Sequence, residues 1–168
     1  GGGGGGGSGA PPAGASDAPL SLAKLAGHYG GGCGPLSGAS NLETGEPLYR
    51  IFYFSVTTSS TTTGKISYRS DFYTSADCAG SAVGSMTNDN PANSIAVVGA
   101  IDTNGVTADA VRLTVPKPQI SVSPSGTTGM VVYGSAIRLA LPSRILEGFS
   151  YNDLWFLDGK QLFWGTVD

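Results

Sequence analysis

From Leu48 onward apolar and polar positions alternate along the chain, which is the period of a strand and not of a helix. In residues 48–56, Leu48, Phe52, Phe54 and Val56 fall on one face, interrupted by Arg50, while Tyr49, Ile51 and Tyr53 fall on the other. Both faces of this strand therefore carry bulk. The next run puts Ile66, Tyr68 and Phe72 on one side and Lys65, Ser67, Arg69 and Asp71 on the other, the pattern of a half-buried antiparallel strand. Between the two runs, residues 57–64 are almost all Thr and Ser, too many for the tightest hairpin, and read as an exposed hairpin loop.

Two dipeptides mark sharper turns. Asn104-Gly105 lies between residues 95–103 and 106–115, and a type I′ turn needs positive φ at both central positions, so this pair predicts a two-residue hairpin. The same reading of Asp158-Gly159, between residues 154–157 and 160–166, sets Trp155 opposite Leu162 and Phe156 opposite Gln161. Residues 130–141 and 145–151 predict two further strands split by Pro142-Ser143, and Pro116, Pro118 and Pro124 mark an irregular crossing where no ladder can continue. The one helical candidate is residues 17–26, with Ser16 or Asp17 as cap, Pro19 in the first turn, an apolar stripe of Leu20, Leu22 and Leu25, and Gly27 as the stop. The expected fold is all-β: a small antiparallel barrel, or a two-sheet sandwich, of about eight or nine strands with one short N-terminal helix.

The composition divides the chain in two. Residues 1–16 hold Gly1 to Gly7, then small residues and Pro11-Pro12, with no side chain able to build a core, so they are expected to be a flexible leader ahead of a single β domain over 17–168. The layout resembles the mature start of bacterial lipoproteins, in which a small-residue spacer follows a lipidated Cys. That resemblance implies export and a lipid anchor. A net charge of −3 with nine scattered basic residues gives no footprint for nucleic acid, and no apolar stretch approaches the roughly 20 residues of a membrane helix. Two cysteines and one histidine are too few for an ordinary structural zinc site, and no cofactor is implied. In an exported chain Cys33 and Cys78 are expected to pair, with two buried thiols as the alternative reading.

Leu25-Ala26-Gly27-His28-Tyr29, then Cys33, and the later Phe72-Tyr73-Thr74-Ser75-Ala76-Asp77-Cys78 resemble the opening and a second, cysteine-bearing strand of lipocalin-like bacterial extracytoplasmic proteins. The resemblance implies a cup-shaped antiparallel barrel around an apolar ligand. It transfers no ligand-contacting residue.

Catalytic constellations do not assemble in the sequence. His28 has no Ser or Asp at triad spacing and reads as a strand-start histidine. Asp71 with Asp77, and Asp153 with Asp158, read as turn residues, Asn88-Asp89-Asn90 as a polar turn, and Gly30 to Gly34 as loose backbone beside the cysteine and not as a phosphate loop. The aromatics are the more informative group, because alternation sends neighbours such as Trp155 and Phe156 to opposite faces. Tyr49, Phe52, Tyr53, Phe54, Tyr68, Phe72, Trp155, Phe156 and Trp164 are the candidates for an interface or a ligand site. The leading expectation is a non-catalytic bacterial cell-surface or extracellular interaction protein, periplasmic retention being the variant. It would join a protein partner or copies of itself through strand edges and aromatic faces. The alternative is a carrier enclosing a small apolar molecule between Phe52, Phe54, Tyr68 and Phe72.

Overall fold

The computed structural model describes residues 14–117, 120–123, 127–128, 131–133, 138–140 and 147–166. It is all-β. The strands are β1 (Gly14–Ala15), β2 (Gly27–Asn41), β3 (Pro47–Thr58), β4 (Thr63–Tyr73), β5 (Gly84–Asn88), β6 (Ser94–Thr103) and β7 (Val106–Val115). They continue with β8 (Ile120–Ser123), β9 (Thr127–Thr128), β10 (Val131–Tyr133), β11 (Arg138–Ala140), β12 (Phe149–Asp158) and β13 (Gln161–Thr166). Nine of these run four residues or longer, and all pair antiparallel in one nearly closed, barrel-like sheet.

The sheet runs β13-β12-β7-β6-β4-β3-β2-β11-β10-β9, and it forks at β4. Thr63 and Gly64 at the start of β4 pair with Ala96 and Ile95 of β6, while Tyr68 to Phe72 further along pair with β5, which in turn pairs with β8. One strand thus belongs to both walls. The fork needs a glycine: a Cβ on Gly64 would collide with the Thr57 carbonyl and lie 2.6 Å from Cδ2 of Leu22.

Between the walls lies a core of Leu22, Leu25, Val56, Ile66, Ile95, Val97, Val111, Leu113, Trp155 and Leu162. Burying each such aliphatic side chain contributes about 1.5–3 kcal/mol. Leu22 and Leu25 come from the segment expected to be helical, but only Ala23–Leu25 forms a single 3-10 turn. The tertiary structure takes the backbone groups a helix would use. Ser16 N–H donates to the Ala100 carbonyl and Leu22 N–H to the Thr61 carbonyl, each at 2.8 Å, so the segment is stitched across the barrel with its leucines as a plug. Lys24 fastens the plug to β7 through an ion pair with buried Asp109 at 3.0 Å. Gly14 and Ala15, at the end of the expected leader, pair with Asp102 and Ile101 of β6; residues 1–13 lie outside the described residues.

The Asn104-Gly105 hairpin forms as expected, with φ of 52° and 81° and Thr103 facing Val106. The C-terminal hairpin turns one residue later than expected. Its two-residue loop is Gly159-Lys160, with Gly159 at φ 61°, so Asp158 faces Gln161, Phe156 faces Phe163 and Trp155 faces Trp164. A type II′ turn wants glycine at its first central position, and that preference sets the register here. Residues 149–158 are one strand where two were expected, and the expected strand over 130–141 is instead the antiparallel pair β10 and β11. Strands β3 and β4 also reach into the Thr/Ser-rich segment, so Thr57 and Thr58 pair with Lys65 and Gly64 and only residues 59–62 form the loop. Pro142-Ser143, Pro118 and Pro124 fall outside the described residues.

Cys33 and Cys78 form a disulfide with Cα atoms 5.8 Å apart, tying β2 to the loop between β4 and β5 across a sequence separation of 45. Cys33 sits where the β2 register against β3 shifts, between Gly30 and Cys33, and Cys78 takes a φ of 55°. The crosslink fits an oxidising compartment. Among the described residues no helix is long and apolar enough to cross a membrane.

Candidate functional site

Strict alternation along β3 and β4 gives their two faces different chemistry, and each face forms a recess. On the inner side Phe52, Phe54, Ile66 and Tyr68 meet Leu113 of β7 and Phe149, Tyr151 and Trp155 of β12 around a cavity of about 340 Å³. Trp164 of β13, paired with Trp155, stands at its rim with 64% of its surface exposed. The rings form a connected set. Tyr29 stacks on Phe54 at 4.9 Å, Phe54 meets Trp155 at 5.6 Å, Phe52 stacks on Tyr68 at 5.6 Å, Tyr68 meets Phe149 edge-on at 6.3 Å, and Phe149 meets Tyr151 at 5.5 Å. Charge is supplied by Arg50, whose guanidinium lies 5.1 Å from the centre of the Phe52 ring, and by Arg69 and Glu147, which also line the cleft.

Trp155 is held from behind. Its Nε1–H donates to Oδ2 of Asp153 at 3.1 Å, and the Leu154 N–H donates to Oδ1 of the same carboxylate at 3.0 Å. Asp153 is buried, and that burial raises its pKa above the usual carboxylate value against the opposing pull of these hydrogen bonds. Burial likewise raises the phenol of Tyr68, helped by nearby Tyr151, and that of Tyr151, helped by Asp153. Both phenols stay protonated through the physiological range. The cleft therefore offers aromatic faces and neutral hydroxyl groups.

On the outer side the same strands carry Tyr53, Ser55, Ser67, Arg69 and Asp71, which with His28, Thr87 and Asp89 line a wider recess of about 780 Å³ that Tyr29, Phe54 and Tyr68 also border. Its side chains are paired among themselves. Arg69 donates to both carboxylate oxygens of Asp71 at 2.9 and 3.3 Å, Lys65 meets Asp89 at 2.7 Å, Ser67 donates to Asp89 at 2.7 Å, and Nδ1 of His28 lies 2.9 Å from the Ser55 hydroxyl. Lys65 and Ser67 hold the Asp89 carboxyl below the usual carboxylate value.

Of the residues singled out from sequence, Phe52, Phe54, Tyr68, Trp155 and Trp164 come together in the inner cleft. Tyr53 lies in the outer recess, and Tyr49 pairs with Tyr73 further along the same strands. Phe72 is wholly buried and presents no surface. Phe156 stacks with Phe163 at 6.5 Å across the C-terminal hairpin, on the opposite face from Trp155. Phe149, Tyr151, Met86 and Glu147 are cleft residues the candidate set lacked. Phe149 and Tyr151 share the parity of Trp155, but only when 149–158 is one unbroken strand. Among the described residues no group of three or more His, Cys, Asp or Glu side chains is placed to hold a metal. Comparison with known protein families, curated proteins and solved structures returns no match for this chain.

Proposed function

We propose that this chain is an extracytoplasmic, non-catalytic binding module whose inner cleft receives a small, flat, largely apolar molecule. The observation that carries the reading is the unfilled space itself. Protein interiors pack like organic crystals, yet here about 340 Å³ ringed by aromatic side chains is left open among the described residues. Phe149, Tyr151 and Trp164, at 41, 47 and 64% exposure, remain partly in water around it, which a bound apolar surface would relieve. The disulfide supports placement outside the reducing cytoplasm. The test is titration of the purified full chain with the neutral fluorophore N-phenyl-1-naphthylamine. The reading requires saturable enhancement that weakens in Phe52→Ala and is unchanged in Tyr53→Ala; a linear, non-saturating response contradicts it.

A second reading is supported by β13. Its outer edge has no partner strand among the described residues, and it carries exposed Phe163 and Trp164. An unpaired edge with exposed aromatics can add a strand from a partner or from another copy of this chain. Sedimentation over a concentration range tests it: a dimer abolished by Phe163→Lys supports assembly, and a monomer throughout removes self-association.

A further inference from the structure

We infer that the outer recess over β2, β3, β4 and β5 is a second site, one that binds a neutral polysaccharide chain. Three observations lead there. Its charges cancel locally, because Arg69 is forked onto Asp71 and Lys65, beside the recess, is paired with Asp89. A phosphate or carboxylate ligand needs an uncommitted cation, and an apolar ligand would strip water from these polar groups without replacing its hydrogen bonds. A polyol replaces them, since each hydroxyl both donates and accepts. The paired groups retain capacity for this: a guanidinium has five N–H groups and a carboxylate about four lone-pair sites, more than the partners here consume.

The second observation is an aromatic floor. The Tyr53 ring lies against the backbone at Gly30, with ring carbons 3.0 and 3.1 Å from where a Cβ would stand, so any larger residue at that position would push the ring away. Gly30 thus keeps Tyr53 laid down over β2, and Tyr53 lines the recess. A ring lying along a sheet is a platform for the C–H face of a sugar, with hydroxyl-binding side chains at its flanks. The third is shape. The recess is open and crosses four neighbouring strands, roughly 14 Å at the spacing between strands, which suits a chain passing through better than a single enclosed molecule.

Phe54, Tyr68 and Arg69 line both recesses, so the site is told apart from the inner cleft by the residues that line it alone, among them His28, Tyr53, Ser67, Asp71 and Thr87. The experiment is a two-dimensional amide NMR titration of the ¹⁵N-labelled full chain with cellohexaose, chitohexaose, maltohexaose and xylohexaose, with trigalacturonate as the acidic comparator. The expected result is saturable shifts for at least one neutral oligosaccharide at millimolar concentration or below, centred on His28, Tyr53, Ser67, Asp71 and Thr87. Tyr53→Ala is expected to weaken that affinity about tenfold, and Phe52→Ala in the inner cleft to leave it unchanged. Should Tyr53→Ala lose its folded amide spectrum, His28→Ala serves in its place, with a loss of affinity in the same direction expected. Absence of saturable shifts from all four neutral oligosaccharides, tighter binding of trigalacturonate, or shifts confined to the inner cleft would each overturn the proposal.

Discussion

Strands β3 and β4 present Phe52, Phe54, Ile66 and Tyr68 to the inside of the barrel and Tyr53, Ser55, Ser67 and Arg69 to the outside, and the two faces behave as different materials. Inside, the side chains are large, apolar and joined ring to ring, so each supports its neighbours' packing. Outside, they are paired by hydrogen bonds and ion pairs in contact with solvent, where a single pair contributes little to stability. One pair of strands with a two-residue period can therefore carry the two proposed sites, which share Phe54, Tyr68 and Arg69 and differ in the rest of their lining. Substitutions on the inner face are expected to damage folding and the cleft together; those on the outer face to alter recognition with the fold intact.

The largest test of that contrast is Trp155→Ala. It opens a hole beneath the cleft and leaves the buried Asp153 without its indole partner, and it is expected to cost about 3–5 kcal/mol in chemical denaturation. Next is the crosslink. Replacing Cys33 and Cys78 together by Ala releases a loop of 45 residues, which chain entropy values at about 4 kcal/mol. Because the disulfide joins β2 to the loop after β4, amide shifts from the double variant should spread over β2 and that loop while naphthylamine binding survives. Adjacent residues then give the sharpest comparison. Phe54→Ala is expected to cost about 3 kcal/mol and Tyr53→Ala less than about 1 kcal/mol, as unfolding midpoints would show. Equal costs would mean that the faces are not distinct.

The smallest effect lies in the carboxylates, and its sign differs between interior and exterior. Burial raises the pKa of Asp153 and of Asp109, the latter against the pull of Lys24, so the folded state holds these protons more tightly than the unfolded chain does. Their contribution to stability is greatest below the unfolded value of about 3.9 and is lost as pH rises from there through the folded pKa. Asp89 on the outer face is lowered by Lys65 and Ser67, so its contribution is present above about 3.9 and is lost as pH falls through its folded pKa. Carboxyl ¹³C titrations should place the midpoints of Asp153 and Asp109 above the ordinary value and that of Asp89 below it.

Much of this arrangement can be read from local pattern, and the rest depends on contacts distant in sequence. The alternation of Ile66, Tyr68 and Phe72 against Lys65, Ser67 and Arg69 predicts the two faces of β4, and Asn104-Gly105 predicts its hairpin, because both signals are complete within a few residues. Residues 17–26 mislead because their leucines do seek the core, but the Leu22 N–H finds its partner at Thr61 and that of Ser16, just before the segment, at Ala100, which no local propensity can reveal. The C-terminal register misleads because Asp158-Gly159 and Gly159-Lys160 are both plausible two-residue turns, and the glycine serves the second. That shift, with the splitting of β12, conceals the Trp155–Trp164 pair and the contribution of Phe149 and Tyr151 to the cleft. Phe72 carries the parity of the cleft residues and yet is sealed; alternation assigns a face but not a depth along it.

The most direct test of the proposed binding function is an NMR titration of ¹⁵N-labelled protein with N-phenyl-1-naphthylamine, followed at the Trp155 indole N–H and at the backbone amides. The account predicts saturable movement of the indole signal and of amides at Phe52, Tyr68 and Phe149, with Tyr53, Ser67 and Thr87 stationary. Saturable shifts centred on the outer face or on β13, with the Trp155 indole unmoved, would contradict it.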